Sequence, residues 1–182
     1  MIIDINNTDK KYGIIYTDPP WQQTKSNFRK ARPNQKKNLD YETLSIEEIK
    51  NIHANLPVDE KYNVFMWTID KYLHKTEAMM EDLGYKLHAR MIWDKENGIA
   101  PAFTIRFCHE YLLWFYKPKQ MLMPCDDMRG KYMSVLREPS TKHSRKPVCA
   151  YEMLESMFPD ANKLELFARD ERIGWDSWGN EL

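Results

Sequence analysis

The residues of this sequence best suited to chemistry stand side by side: Asp18, Pro19, Pro20 and Trp21. Asp18 brings a carboxylate and Pro19 a backbone carbonyl, two hydrogen-bond acceptors a few bonds apart. Consecutive prolines fix φ and contribute no N–H donor, so those acceptors are held where a flexible loop would let them drift. Trp21 adds an indole face on which a planar base can stack, a contact worth about 1 to 3 kcal/mol. This set suits an amino group on an aromatic ring. Such an amine is a poor nucleophile while its lone pair is delocalised. Acceptors aimed at its two N–H bonds favour the pyramidal, reactive form, and a charged acceptor does so more strongly. A rigid turn after a strand accounts for the same residues structurally, but average residue usage yields the tetrapeptide by chance in roughly one in several thousand chains of this length.

The surrounding elements decide where these residues sit. YGIIYT at 12–17 reads as a buried strand ended by the two prolines, so the tetrapeptide follows a strand directly. In an open α/β sheet that position is the ligand-binding edge. Ser45 reads as a helix cap with Glu48 as its capping-box partner and Leu44 and Ile49 as a hydrophobic staple, which predicts a helix over 46–54. Further strands are predicted at 62–68, 86–94, 110–117 and 164–169. Helices are predicted over 70–83, with Leu73, Met80 and Leu83 on one face and Gly84 as the stop, and over 147–158. In the latter, Pro147 takes the first helical position and Val148, Tyr151, Leu154 and Phe158 form the apolar face. IGWDSWGNEL at 173–182 reads as an irregular tail. The alternation of strands and helices predicts an α/β fold with a mostly parallel sheet.

At 182 residues the chain fits one domain spanning 1–182, and neither a repeat nor a linker divides it. The three cysteines, Cys108, Cys125 and Cys149, have no paired spacing, so a reducing, cytoplasmic setting is expected, without a disulfide framework or a metal. No apolar run approaches the roughly 20 residues that span a bilayer, and the start MIIDINNTDKK lacks a signal peptide's apolar stretch; no membrane partner is expected.

Twenty-seven basic residues balance twenty-seven acidic ones, so contact with a polyanion must be local, because phosphate affinity comes from Lys and Arg. Residues 25–37 supply six basic side chains and no acidic one, among them Lys25, Arg29, Lys30 and Arg32; Lys142, Arg145 and Lys146 form a second cluster. Either segment also reads as a solvated loop.

The tetrapeptide resembles the catalytic motif of the MT-A70 family of adenine-N6 methyltransferases. The likeness continues in order through VFMWT at 64–68, MIWDK at 91–95, HEYLLWF at 109–115, HSRKP at 143–147, LELFAR at 164–169 and the distal WGNEL. The resemblance implies a Rossmann-like fold dependent on S-adenosylmethionine, with helices on both faces of the sheet and the circularly permuted, beta-class motif order. It also fits the absence of GxGxxG in a chain with six glycines. By the same resemblance Asp18, Pro19, Pro20 and Trp21 hold the target adenine. Lys146 partners the methionine carboxylate of the cofactor. Arg169, Asn180 and Glu181 contact its ribose and adenine side, and Asp4 with Ile5 hold its adenine. Glu171 and Arg172 replace the His and Asn of relatives. Tyr41, Trp93 and Glu110 match positions bordering the target base, though Trp93 reads equally as core; Trp67 and Trp114, on strands, read as core. The product is S-adenosylhomocysteine, and no metal is required.

The expected activity is therefore methyl transfer to adenine N6 in DNA, favoured because compact chains without RNA-binding appendages resemble bacterial and phage members. RNA is the alternative polymer. A non-catalytic nucleic-acid-binding subunit is the alternative outside enzymes, disfavoured because Asp18, both prolines and Lys146 are all present. Relatives often pair, so a homodimer is a further expectation.

Overall fold

The computed structural model describes residues 1–22, 43–97, 105, 107–141 and 145–179. Its axis is β1, Tyr12–Thr17, every residue of which is buried. The other elements follow as α1 (Ile46–Ala54), β2 (Val58–Thr68), a 3-10 turn (Asp70–Tyr72) leading into α2 (Leu73–Asp82), β3 (Lys86–Asp94), β4 (His109–Tyr116), β5 (Val135–Arg137), α3 (Val148–Met157), β6 (Lys163–Leu166) and β7 (Trp175–Trp178). The strands form one seven-stranded sheet in the order β5-β3-β4-β2-β1-β6-β7. Every pairing is parallel except those made by β4, which runs against both β2 and β3.

Alternation along the strands feeds two cores. Tyr12 and Ile15 of β1, Val64 and Met66 of β2 and Leu113 and Phe115 of β4 pack with Ile49 of α1 and with Met79 and Met80 of α2. Ile14, Tyr16, Phe65, Trp67, Leu112 and Trp114 face the other way, onto Ala150, Met153, Leu154 and Met157 of α3. Helices thus cover both faces, and burial of each large aliphatic or aromatic side chain contributes roughly 1.5 to 3 kcal/mol. The chain leaves β1 for β2 on one side and returns by α3 to β6 on the other. The carboxyl end of β1 is therefore the point where strand order reverses, which is where open sheets bind ligands.

The local signals match closely in places. Ser45 caps α1, its hydroxyl accepting from the Glu48 N–H while the Glu48 carboxylate accepts from the Ser45 N–H. Gly84 follows α2 at φ +82°, a left-handed conformation that L residues adopt at a cost.

Elsewhere the structure corrects the sequence. The predicted helix over 70–83 starts as a 3-10 turn and becomes α-helical only at Leu73. Pro147 is the N-cap of α3, one position outside the helix, and the buried face is Ala150, Met153, Leu154 and Met157, leaving Val148 about half exposed. LELFAR ends as a strand at Leu166. The segment read as an irregular tail contains β7, whose backbone pairs with β6 and, at Ser177, with Ile2, and whose buried Asp176 accepts from Tyr12, partners that hydropathy does not reveal. The three-residue β5 was not predicted at all.

Candidate active site

Asp18 leaves β1 at the switch point, and the turn behind it is pinned by the backbone. The Trp21 N–H donates to the Pro19 carbonyl at 2.8 Å and the Leu44 N–H to the Pro20 carbonyl at 2.9 Å. The Pro19 oxygen keeps a second lone pair, as any carbonyl does. His53 of α1 braces the strand end from behind: one ring nitrogen lies 2.7 Å from the Ile49 carbonyl and the other 3.2 Å from the Thr17 hydroxyl. Nδ1 can only donate to that carbonyl, so Nε2 accepts from Thr17. Burial holds the His53 imidazole down to about 4, so it stays neutral at physiological pH.

Two adjoining cavities open on this turn. The larger, of about 510 Å³, is lined by Asp18, Arg145, Lys146, Val148, Tyr151, Glu165, Arg169, Asp170, Glu171 and Arg172. The smaller, of about 80 Å³, is lined by Asp18, Pro19, Pro20, Trp21, Thr68, Ile69, Glu110, Lys146 and Arg169. Asp18, Lys146 and Arg169 belong to both walls, so the two spaces meet at these three side chains.

The electrostatics centre on Lys146. Its ammonium lies 2.9 Å from Asp18 Oδ1 and 2.8 Å from Glu110 Oε2, over the Trp67 ring at 5.2 Å. Burial works against the charge, but the two carboxylates outweigh it and hold the lysine above its ordinary value. Asp18 is also raised, but for a different reason: burial pushes its carboxyl up, Lys146 opposes, and Glu110 adds to the rise. Glu110 also receives Lys95 Nζ at 2.5 Å. Despite burial, Lys146 and Lys95 hold the Glu110 carboxyl below the usual range. In the larger cavity Tyr151 donates to Glu165 at 2.7 Å. Burial, helped by the nearby Asp18 charge, pushes Glu165 up to about 7.

The loop that presents Arg169 is also tightly specified. Phe167 turns the chain just after β6 at φ 60°, a strained conformation for an aromatic residue. The Ala168 N–H donates to the Trp178 carbonyl, and the Phe167 ring packs edge-on against Trp178 at 5.5 Å. Gly179 passes so close that an added Cβ would lie 2.5 Å from the Ala168 carbonyl oxygen. Lys146 gains its position from α3, whose first two free N–H groups, of Val148 and Cys149, are capped at 2.8 Å by the Glu138 carboxylate.

The structure thus brings together Asp18, Pro19, Pro20, Trp21, Glu110, Lys146 and Arg169, all named from the sequence. It relocates others. Trp21 is buried, donates to the Trp67 carbonyl at 3.3 Å and stacks on Tyr72 at 5.2 Å, so one face of the expected base platform is already covered. Trp93, read as either bordering the target base or core, packs in the core with its N–H donating to the Glu138 carbonyl. Asp4 accepts from the Asn6 N–H in a surface turn and Ile5 is buried in the core; neither lines a cavity described here. Tyr41, Lys25, Arg29, Lys30, Arg32, Asn180 and Glu181 lie outside the described residues. Sequence reasoning missed His53, Glu165 and Lys95. His53 falls four residues after Ile49 on the buried stripe of α1, which was the available signal.

The mostly parallel sheet, with a carboxylate turn and a ligand-sized cavity at its switch point, has the architecture of a Rossmann-like methyltransferase fold. Comparison with known proteins gives the family: the MT-A70 model matches residues 12–181, and the chain belongs to this family of N6-adenine methyltransferases. It is similar to the type II methyltransferase M.MunI of Mycoplasma sp, 28% identical over 95% of this chain and 78% of that protein. It is likewise 28% identical to the human N(6)-adenine-specific methyltransferase METTL4, over 97% of this chain and 38% of the relative. To the human N(6)-adenosine-methyltransferase catalytic subunit METTL3 it is 24% identical, over 94% of this chain and 28% of the relative. The chain thus spans most of the first but well under half of the two human proteins.

MT-A70 methyltransferases use S-adenosylmethionine, and the larger cavity suits it. Its volume is in the range of small-molecule sites. Its wall carries the carboxylates of Asp18 and Glu165 together with the cations of Lys146 and Arg169, both signs of charge that a zwitterionic amino-acid moiety requires. Among the described residues no group of three or more His, Cys, Asp or Glu could hold a metal ion, and no helix is long and apolar enough to cross a membrane.

Proposed function

We propose that this chain transfers a methyl group from S-adenosylmethionine to the N6 amino nitrogen of adenine in DNA. The observation that carries this reading is the shared wall: Asp18 lines both the cofactor-sized cavity and the small one enclosed by the proline turn. A donor in the first and an amine entering the second would meet at its carboxylate.

The cofactor supplies an electrophilic methyl on a sulfonium. The protein supplies placement and charge. Asp18 accepts one N–H of the amine and the second lone pair of the Pro19 carbonyl accepts the other, which localises the nitrogen lone pair. Lys146 binds Asp18 on Oδ1, and a carboxylate has acceptor sites to spare for the amine. Once methylated, the nitrogen is cationic, and Asp18 is the carboxylate at hand to receive its proton. Glu110 and Lys146 line the small cavity, Lys146 being the residue that would pair with the cofactor's carboxylate, while Arg169 lines both spaces. A base paired in a duplex reaches such a recess only by extrusion from its stack. The basic residues of 25–37 and Arg145 are assigned to the phosphates.

DNA is preferred because the chain spans 78% of M.MunI but about a quarter of the adenosine methyltransferase METTL3. The test is incubation with methyl-labelled cofactor and either duplex DNA or RNA, then digestion to nucleosides. Label in N6-methyldeoxyadenosine supports the proposal. Label in N6-methyladenosine transfers the activity to RNA, and cofactor binding with no label in either polymer makes the chain a non-catalytic binding subunit.

A further inference from the structure

Lys95 has no place in the reaction as derived, yet it ends a continuous line of alternating charge that begins at the reacting carboxylate. Asp18 binds Lys146, Lys146 binds Glu110, and Glu110 binds Lys95, at 2.9, 2.8 and 2.5 Å. The four side chains come from four separate segments: the turn after β1, the approach to α3, the start of β4 and the end of β3. The line lies over two tryptophans. Lys146 sits 5.2 Å from the Trp67 ring centre, Lys95 sits 5.0 Å from that of Trp93, and the two indoles meet edge to face at 5.9 Å. Indole faces attract cations, so each ammonium has a fixed seat.

This is not an ordinary surface ion pair. The Lys95 and Glu110 side chains are 21% and 15% exposed, and Lys146 only 9%. The backbone of Lys95 is clamped as well, its N–H donating to the Cys108 carbonyl at 2.9 Å and its carbonyl accepting from Ser140 at 3.2 Å. A pre-organised pair of this kind exerts its full field on its neighbour, whereas a mobile surface pair averages it away.

We propose that Lys95 is a positioning residue of this site: it fixes Glu110 so that Lys146 divides its charge between two carboxylates and leaves Asp18 an available acceptor. The proposal rests on the methyl-transfer reading given above. Without the cation of Lys95, Glu110 is a buried carboxylate facing Lys146 from the α3 approach, Asp18 from the β1 turn and, beyond Asp18, Arg169 from the β6 loop. Burial then favours its neutral form. A neutral Glu110 no longer shares Lys146, whose charge collapses onto Asp18 and competes with the incoming amine. Lys95 touches neither reactant; its effect passes through Glu110 and Lys146.

The experiment compares the wild type with K95M, K95Q and K95R. The Glu110 carboxyl is followed by carbon-13 NMR titration, assigned with E110Q, alongside methyl transfer and cofactor affinity by calorimetry. In the two neutral variants the Glu110 midpoint is expected to rise by about one unit, the shift an adjacent cation commonly imposes. The turnover number at neutral pH should fall about tenfold, in line with the loss of a charge-assisted contact, while the cofactor dissociation constant stays within about twofold. K95R, which keeps the charge, should recover most of both losses. An unmoved Glu110 midpoint, turnover within twofold of wild type, or a lowered melting temperature with turnover unchanged would each overturn the proposal. A wild-type protein that methylates no adenine removes the functional reading instead, and the titration then still decides whether Lys95 governs Glu110.

Discussion

Two aspartates serve opposite ends of β1 and meet opposite fates. At the amino end Asp176 accepts from Tyr12 at 2.7 Å and from Lys10 at 2.6 Å. Burial opposes its charge, but the hydrogen bonds from Lys10 and Tyr12 outweigh it, and its carboxyl stays below the ordinary range. At the carboxyl end Asp18 also has a lysine within 3 Å, yet burial lifts its carboxyl above the ordinary range. The difference lies first in burial, which prevails at Asp18 and is outweighed at Asp176, and then in how the cation is shared. Lys10 serves one carboxylate, whereas Lys146 divides its charge between Asp18 and Glu110. A saturated carboxylate is a structural fastener; one left partly in need of donors is available to a ligand.

That contrast can be broken most forcefully at Asp18. Replacement by Asn keeps the shape and removes the charge, and turnover should fall by about a thousandfold, the upper range for losing one preorganised group at a developing charge. Cofactor binding by calorimetry should remain measurable and the melting temperature should not fall, since a raised carboxyl contributes nothing to folding when ionised.

The next largest effect belongs to His53, which braces Thr17 immediately before Asp18. Its folded-state value near 4 lies below the unfolded reference of 6.5, so the unfolded chain binds the proton more readily. Its contribution is complete above pH 6.5 and is lost as pH falls toward 4, by roughly 3 kcal/mol over that window. Denaturant melts at pH 7 and pH 4.5 check this, and His53→Gln should flatten the dependence. Glu165, with a folded value near 7, has the opposite sign: it favours the folded state at low pH and loses that contribution as pH rises from 4.5 to 7.

Asp176→Asn should then sharpen the comparison from the other side. It leaves Lys10 and Tyr12 without their charged acceptor and should cost about 2 kcal/mol of stability, with turnover per folded molecule unchanged. The smallest effect is expected from Ser45→Ala, which removes the cap of the helix carrying His53; about 1 kcal/mol in chemical denaturation, again without a change in turnover.

What could be read from the sequence was local. The capping box of α1 depends on residues three apart, the stop at Gly84 on one residue, and β1 on an unbroken apolar run with prolines behind it. The turn at Asp18 was legible for the same reason, its four residues being adjacent. What escaped was decided by partners far along the chain. β5 exists because three residues pair with β3, and β7 because Tyr12 and Lys10 satisfy an aspartate that would otherwise forbid a buried strand. The apolar face of α3 was misjudged because Val148 lines a cavity. Lys146 was placed at the site, but its sharing between Asp18 and Glu110 spans 128 and 36 residues of chain, and no spacing rule announces such a triad.

The most direct measurement is a single-turnover reaction of the wild type and Asp18→Asn with methyl-labelled cofactor and duplex DNA, with the position of the methyl group on the product nucleoside determined by mass spectrometry and NMR. The expected result is a methyl on N6 of deoxyadenosine from the wild type, and a rate lower by about a thousandfold from a variant that still binds the cofactor. A methyl on any other atom, or a variant that transfers at the wild-type rate, would contradict the role given to Asp18.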